Sequence, residues 1–190
     1  MRFVALGDVA ELNPRHVTGL PKSEPVSFVP MAAVLAETAS TEGVSLRPYG
    51  EVAKGYTPMR NGDVLVAKIT PCFENGKIAH AALPTLLGFG STEFHVIRAR
   101  SDAADARYLL HFLRQGSIRV EGERRMTGSG GQRRVPAAYL AELKIPLPPL
   151  PEQRRIAEVL DRAETLRAQR RQAPRATRRA RRVDFSRYVW

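Results

Sequence analysis

The chain has 190 residues, 43% of them hydrophobic, and 30 Lys and Arg against 19 Asp and Glu give a formal charge of +11. That is enough apolar material for one domain with a core plus an appendage, and no apolar run approaches the roughly 18 residues of a membrane span. The single cysteine, Cys72, excludes an internal disulfide and a cysteine-built zinc site and fits a reducing cytoplasm, and Asp8 in the opening MRFVALGDVAELN argues against a secretion signal.

In chain order, residues 6–11 read as a short helix stopped by Asn13-Pro14. Residues 26–29 read as a strand. Arg60-Asn61-Gly62-Asp63 is a turn signal, followed by a strand over 64–69. A second turn at Glu74-Asn75-Gly76-Lys77 leads into a strand over 78–82, and residues 93–98 alternate as another. The period then changes. Asp102 is placed to cap a helix in which Tyr108, Leu109, Phe112 and Leu113 share one face and which Gly116 ends. A second helix follows over 117–125. After the glycine-rich stretch 127–134 come one helical turn at 136–140 and a last strand at 143–147. Short strands and helices without βαβ alternation predict an α+β domain over residues 1–150.

Pro146, Pro148, Pro149 and Pro151 form a stiff boundary, and Pro151 suits the first position of a helix. Over 151–171 the apolar residues Ile156, Val159, Leu160, Ala163 and Leu166 recur at helical spacing with charges between them. This amphipathic, coiled-coil-like helix needs a partner for its seam: a second helix, or its own domain. Residues 172–190 read as a basic tail, expected to be largely disordered or only locally ordered, and atypical in its sequence. The last 25 residues carry 9 basic side chains and one acidic, whereas residues 1–150 carry 18 and 14. A mildly basic body suits a DNA reader that needs base contacts as well as charge.

The stretch 127–134 has the composition of a contact loop. Its glycines, Gly130 among them, let backbone approach a phosphate; Thr127 and Ser129 bring hydroxyls; Gln132 matches adenine, and Arg133 or Arg134 match guanine or phosphate. The plain alternative is a flexible surface loop with solvated arginines. Lys68 and Lys77 bracket a loop containing Thr70 and Asn75, where phosphate contact competes with a hairpin that simply buries Phe73. Tyr56 and Arg60 lie in a further loop with access to DNA. Gly88, Phe89, Gly90 and Phe94 read as mainly structural, with Ser91 and Thr92 as weak contact candidates.

Five blocks in this order resemble one family. They are LGDVAELN at 6–13, ITPCFENGK at 69–77, GFGSTEFH at 88–95, RMTGSGGQRRVP at 125–136, and IPLPPLPEQRRIAEVLD at 145–161. Together they resemble the specificity subunits of type I restriction-modification systems, over residues 1 to about 171. The resemblance implies a target-recognition domain followed by a spacer helix. It implies that the chain reads one half of a split target in double-stranded DNA. The implied partners are methyltransferase and restriction subunits, with a second specificity half or a weak homodimer through the helix seam. It favours the contact reading of loop 127–134. With one domain and one helix, the chain resembles half of such a subunit. The run QAPRATRRARR at 172–182, with Pro174 inside it, departs from the expected apolar heptads and puts dimerisation and methyltransferase docking in question.

Rival classes are weaker. Cys72 with His80 or His95 could form a nucleophile and base, but a lone cysteine beside Phe73 is more often a small buried hydrophobe. His16, His80, His95 and His111 have no metal-ligand spacing. No nuclease or methyltransferase motif is present, and loop 127–134 lacks the Gly-Lys-Ser/Thr end of a P-loop. The expectation is therefore a cytoplasmic, non-catalytic DNA reader without cofactor or metal. The alternative is an RNA-binding or nonspecific nucleic-acid-binding protein with a basic tail.

Overall fold

A computed structural model of the chain describes residues 2–15 and 19–172. His16 and the expected basic tail beyond Gln172 lie outside the described residues.

The chain starts with β1 (Phe3–Ala5), α1 (Leu6–Val9) and β2 (Ala10–Leu12), then β3 (Pro25–Val29), β4 (Val34–Leu35), β5 (Ser40–Thr41) and β6 (Ser45–Pro48). After α2 (Tyr49–Val52) come β7 (Thr57–Arg60), β8 (Val64–Ala67), β9 (Ile78–His80), β10 (Leu87–Gly90) and β11 (Phe94–Ala99). The remainder is α3 (Ala106–Leu113), α4 (Gly116–Arg124), α5 (Ala137–Glu142), β12 (Lys144–Pro146) and the long α6 (Leu150–Gln172). The α+β class read from the sequence is the class observed.

The centre is an antiparallel sheet in the order β2-β11-β8-β9. Its core strand reads Val-Leu-Val-Ala and is buried throughout, as expected for a strand covered on both faces. Alternation divides it between two cores. Val64 and Val66 point to a cluster shared with Ile97 and with Leu109, Leu110 and Leu113 of α3. Leu65 points the other way, to Phe94, Val96, Met59 and Val29. Each such fully buried side chain stabilises the fold by roughly 1.5–3 kcal/mol. The second core lies against another sheet, β6-β3-β10-β7, in which β3 and β10 are parallel. Its outer face carries Val26, Phe28 and Phe89 under Val52 and Tyr49. Helices, central sheet and second sheet thus form three layers, with two-stranded ribbons β1-β12 and β4-β5 at the margins.

Three local expectations are corrected. The helix expected over 6–11 ends at Val9, because Ala10 and Leu12 pair with Ala99 and Ile97 of β11. The cap of α3 is Asp105, not Asp102; its carboxylate accepts from the N–H groups of Arg107 and Tyr108 at 3.0 and 3.1 Å. Gly116 does not end α3: Arg114 occupies that end and Gly116 opens α4. On α3, Leu110 is fully buried while Phe112 is half-buried, so the packed face is wider than the expected four residues.

The long helix is fixed to α3 mainly by polar groups. Gln153 is fully buried; its carbonyl accepts from Asp105 N–H at 3.0 Å, and its amide donates to Ala103 O and Pro148 O at 3.1 and 2.8 Å. Two and three turns further on, Asp161 bonds Arg107 Nε at 3.0 Å and His111 Nε2 at 2.7 Å, and Glu164 pairs with Arg114. Burial pushes the Asp161 carboxyl up, but hydrogen bonds from Arg107 and His111 outweigh it and hold the group below its ordinary value. Of the apolar seam, Ile156 packs on the domain and Ala163 is half-buried, whereas Val159 and Leu166 are 58% and 59% exposed.

Candidate nucleic-acid interface

Three loops meet at one edge of the central sheet. Strands β8 and β11 pair Ala67 with Phe94, so residues 68–77 leave the sheet beside residues 91–93. Lys68 N–H donates to Glu93 O at 2.8 Å. The third segment, 127–135, is laced to the first by Thr70 N–H to Arg133 O at 2.9 Å and Val135 N–H to Lys68 O at 2.8 Å. Thr127 and Arg134 exchange both backbone hydrogen bonds, at 3.0 and 2.8 Å, closing the base of the glycine loop.

Inside that closure the backbone is left-handed. Gly128, Gly130 and Gly131 have φ of 113°, 63° and 75°, which side chains resist. At Gly128 a Cβ would also lie 2.8 Å from Gln132 O, so glycine is needed twice over. The result is a tip, residues 127–132, that is exposed throughout and carries Thr127, Ser129 and Gln132.

The two arginines behind the tip are oriented. Arg133 Nη2 donates to Glu123 O at 2.7 Å. Arg134 forms a two-pronged pair with Glu93, Nε to Oε2 at 2.9 Å and Nη2 to Oε1 at 2.7 Å, and Nη1 donates to Gln132 O at 3.0 Å. The hydrogen bond from Arg134 is the main reason that the Glu93 carboxyl sits below its ordinary value. The Arg134 side chain nevertheless remains 40% accessible.

A buried histidine ties this edge to the body. His95 Nε2 lies 2.9 Å from Val135 O, so that nitrogen carries the proton and donates. Nδ1 then accepts from the Asn13 amide at 3.2 Å, while Asn13 Oδ1 accepts from Val96 N–H at 3.1 Å. Burial is the leading cause that pushes the imidazole below its ordinary value. With both ring nitrogens engaged in this way, His95 is a structural link and not a base poised beside Cys72. Glu93, His95 and Asn13 are the members of this edge that sequence reasoning did not single out as such. The signal was present only as GFGSTEFH and as Asn13 before proline.

The other expected contact residues distribute unevenly. Tyr56 precedes Thr57, which pairs with Gly90 just before residues 91–93, so it borders the same edge. It is 37% exposed and meets the Phe28 ring edge-on at 4.9 Å, with Arg47 stacked on Phe28 at 3.8 Å. Arg60 stands at the far end of β7, paired with Leu87, in a cleft of about 320 Å3 with Arg98, Ser101 and Arg154. Lys68 and Thr70 lie at the loop edge. Asn75 and Lys77 do not: Lys77 Nζ donates to Met31 O at 3.0 Å, and Asn75 lines a cavity of about 410 Å3 with Arg114, Arg119 and Leu160.

Among the described residues no group of three or more His, Cys, Asp or Glu side chains is placed to hold a metal ion, and no helix is long and apolar enough to cross a membrane. The arrangement offers amide, hydroxyl and guanidinium groups on a glycine-shaped loop, the donors and acceptors that read base edges and phosphates.

Known proteins share this construction. The family model described as type I restriction modification DNA specificity domain matches residues 1–173. The EcoAI type I restriction enzyme specificity subunit of Escherichia coli is 40% identical over 155 residues, covering 81% of this chain and 26% of that protein. The EcoEI specificity subunit, also from Escherichia coli, is 38% identical over 156 residues with the same coverage. The chain thus spans about a quarter of the length of the curated relatives it matches. The crystal structure of the HsdS subunit from Thermoanaerobacter tengcongensis superposes with a TM-score of 0.70 at 25% identity, over 90% of this chain and 44% of that one.

Proposed function

The chain belongs to the type I restriction-modification DNA specificity family, and from that premise we propose that it reads one half of a split target in duplex DNA through the loop edge built from residues 68–70, 91–93 and 127–134. The convergence of Gln132, Arg133 and Arg134 with Lys68 and Thr70 on one laced edge carries this reading. Base-edge donors stand there beside backbone N–H groups and cationic side chains, and a duplex reader uses both. In this reading the chain performs no catalysis of its own. It directs methyltransferase and restriction subunits to a site in the cytoplasm. The outward residues of α6, Val159 and Leu166 with Leu160 at their flank, meet a second helix, from another copy or from a sister specificity unit. That arrangement would set two recognition domains on two half-sites.

The test is duplex binding by the whole chain at moderate salt. Arg133→Ala with Arg134→Ala is expected to weaken binding about tenfold or more, with the melting temperature retained. Unchanged affinity in the folded double variant would refute the assignment. An RNA duplex that competes as well as DNA would replace it with the RNA-binding alternative.

A further inference from the structure

Among the described residues, Arg134 is the cation of the loop edge that a carboxylate from another loop holds. Glu93 lies 41 residues away in sequence and takes Nε and Nη2, while Gln132 O takes one N–H of Nη1. A guanidinium has five N–H groups, so two remain, one on Nη1 and one on Nη2, the two terminal nitrogens. Glu93 and Gln132 O together set the orientation of this planar fork.

The charge balance of the pair matters as much as its geometry. Glu93 cancels most of the net positive charge of Arg134, so the pair attracts a phosphate weakly. Its directional donors are untouched. A phosphate contact needs charge and tolerates motion; a base edge needs two donors at a fixed spacing and gains little from net charge. The Arg134 side chain remains 40% accessible, against 23% for Glu93, so the arginine is the more exposed member of the pair.

Resting on the DNA-recognition reading, we infer that Glu93 is a positioning residue that presents Arg134 end-on to the O6 and N7 acceptors of a guanine in the major groove. Glu93 touches no base itself. It sets base preference through Arg134, and the loop containing it belongs to the specificity apparatus as well as to the sheet.

The wild-type chain first enriches a pool of random duplexes, and 7-deazaguanine, which lacks the N7 acceptor, is then scanned through the recovered motif. One guanine is expected at which this change costs wild type about tenfold in affinity, in line with the worth of a good bidentate pair. Glu93→Gln, which keeps the size but not the charge, is expected to bind less tightly and to be indifferent to 7-deazaguanine there. Arg134→Lys should behave in the same way, and Glu93→Asp should keep an intermediate penalty. Melting temperatures exclude misfolding; should Glu93→Gln not fold, Glu93→Asp and Arg134→Lys carry the comparison. A full 7-deazaguanine penalty in folded Glu93→Gln overturns the inference alone. So does an Arg134→Ala variant that lowers the salt slope by about one with an unchanged motif, since that marks a phosphate contact. A wild-type chain that enriches no motif overturns the DNA-recognition reading and this inference with it.

Discussion

The seam between α3 and α6 and the edge formed by loops 68–70, 91–93 and 127–134 are built from the same parts, arginines facing carboxylates, to different ends. At the seam every named donor side chain has its acid: Arg107 and His111 on Asp161, Arg114 on Glu164. Gln153 meanwhile satisfies three backbone groups. The donors there are spent on holding a helix. At the loop edge one pair, Arg134 with Glu93, is half open to solvent and stands among Lys68, Arg133 and the exposed amide of Gln132. The two regions differ less in cover than in company. Arg107 is 45% accessible and Arg134 40%. But Arg107 joins two packed helices, whereas Arg134 stands among other cations and an exposed amide where a ligand can approach.

The sharpest way to break this contrast is at Gln153. Gln153→Ala leaves Asp105 N–H, Ala103 O and Pro148 O without their partner in a buried site and is expected to cost about 3 kcal/mol in chemical denaturation. Duplex affinity per folded molecule should stay the same. Equal losses of stability and affinity would mean that seam and edge are one functional unit.

Next in size is Gly128→Ala. It forces a side chain into φ of 113° and against Gln132 O. The strain, about 1 kcal/mol or more, is confined to the loop. Duplex affinity should therefore fall roughly fivefold while the melting temperature drops by only about 2–4 °C. A large drop in melting temperature instead would make the loop part of the core.

The two regions also differ in how they respond to acid. His95, depressed by burial, is neutral in the fold, so the unfolded chain binds the additional proton. Its contribution is complete above the ordinary imidazole value of 6.5 and is lost as the pH falls below that through the depressed folded value. His80, depressed chiefly by burial as well, adds to the same slope. Asp161 also has a lowered value, so its contribution is present above 3.8 and fades only at lower pH. His95→Gln, which does not titrate, should flatten the stability profile below pH 6.5 relative to wild type. An identical slope in His95→Gln would assign the titration elsewhere.

The smallest expected effect on the fold is on the outer face of α6. Val159→Asp with Leu166→Asp replaces exposed residues and should change monomer stability by less than about 0.5 kcal/mol. Any concentration-dependent dimer in sedimentation should disappear. A dimer that persists places the partner surface elsewhere.

The sequence announced those parts whose signal is local. Val64–Ala67 is a run of apolar residues between turns, the α6 register follows from spacing after Pro151, and the loop 127–134 is marked by its glycines. What it concealed depends on distant partners. Strand β7 contains Pro58, tolerated because β7 is an edge strand paired only with β10. Strand β10 reads Leu-Gly-Phe-Gly and looks like a bend. Its Gly90 exists because a Cβ there would lie 2.5 Å from Val29 O and 2.7 Å from Met59. Ribbon β1-β12 joins the two ends of the domain, Phe3 to Pro146; β12 falls within the strand expected over 143–147, but nothing local marks β1 or the pairing of the two. The same holds for the candidate site. Gln132, Arg133 and Arg134 stand out by composition, but Glu93 acquires its meaning only when β11 brings it to Arg134, and Arg60, marked as a contact by its turn, lies at the opposite end of β7.

The central claim is that DNA meets the loop edge while the seam only supports it. Backbone hydrogen exchange of the whole chain, with and without saturating duplex, tests it most directly. Exchange is expected to slow at residues 68–70, 91–93 and 127–134 and to stay the same across α3 and the first half of α6. Slowing at the outer face of α6 or around Arg60, with the loop edge unchanged, would contradict it.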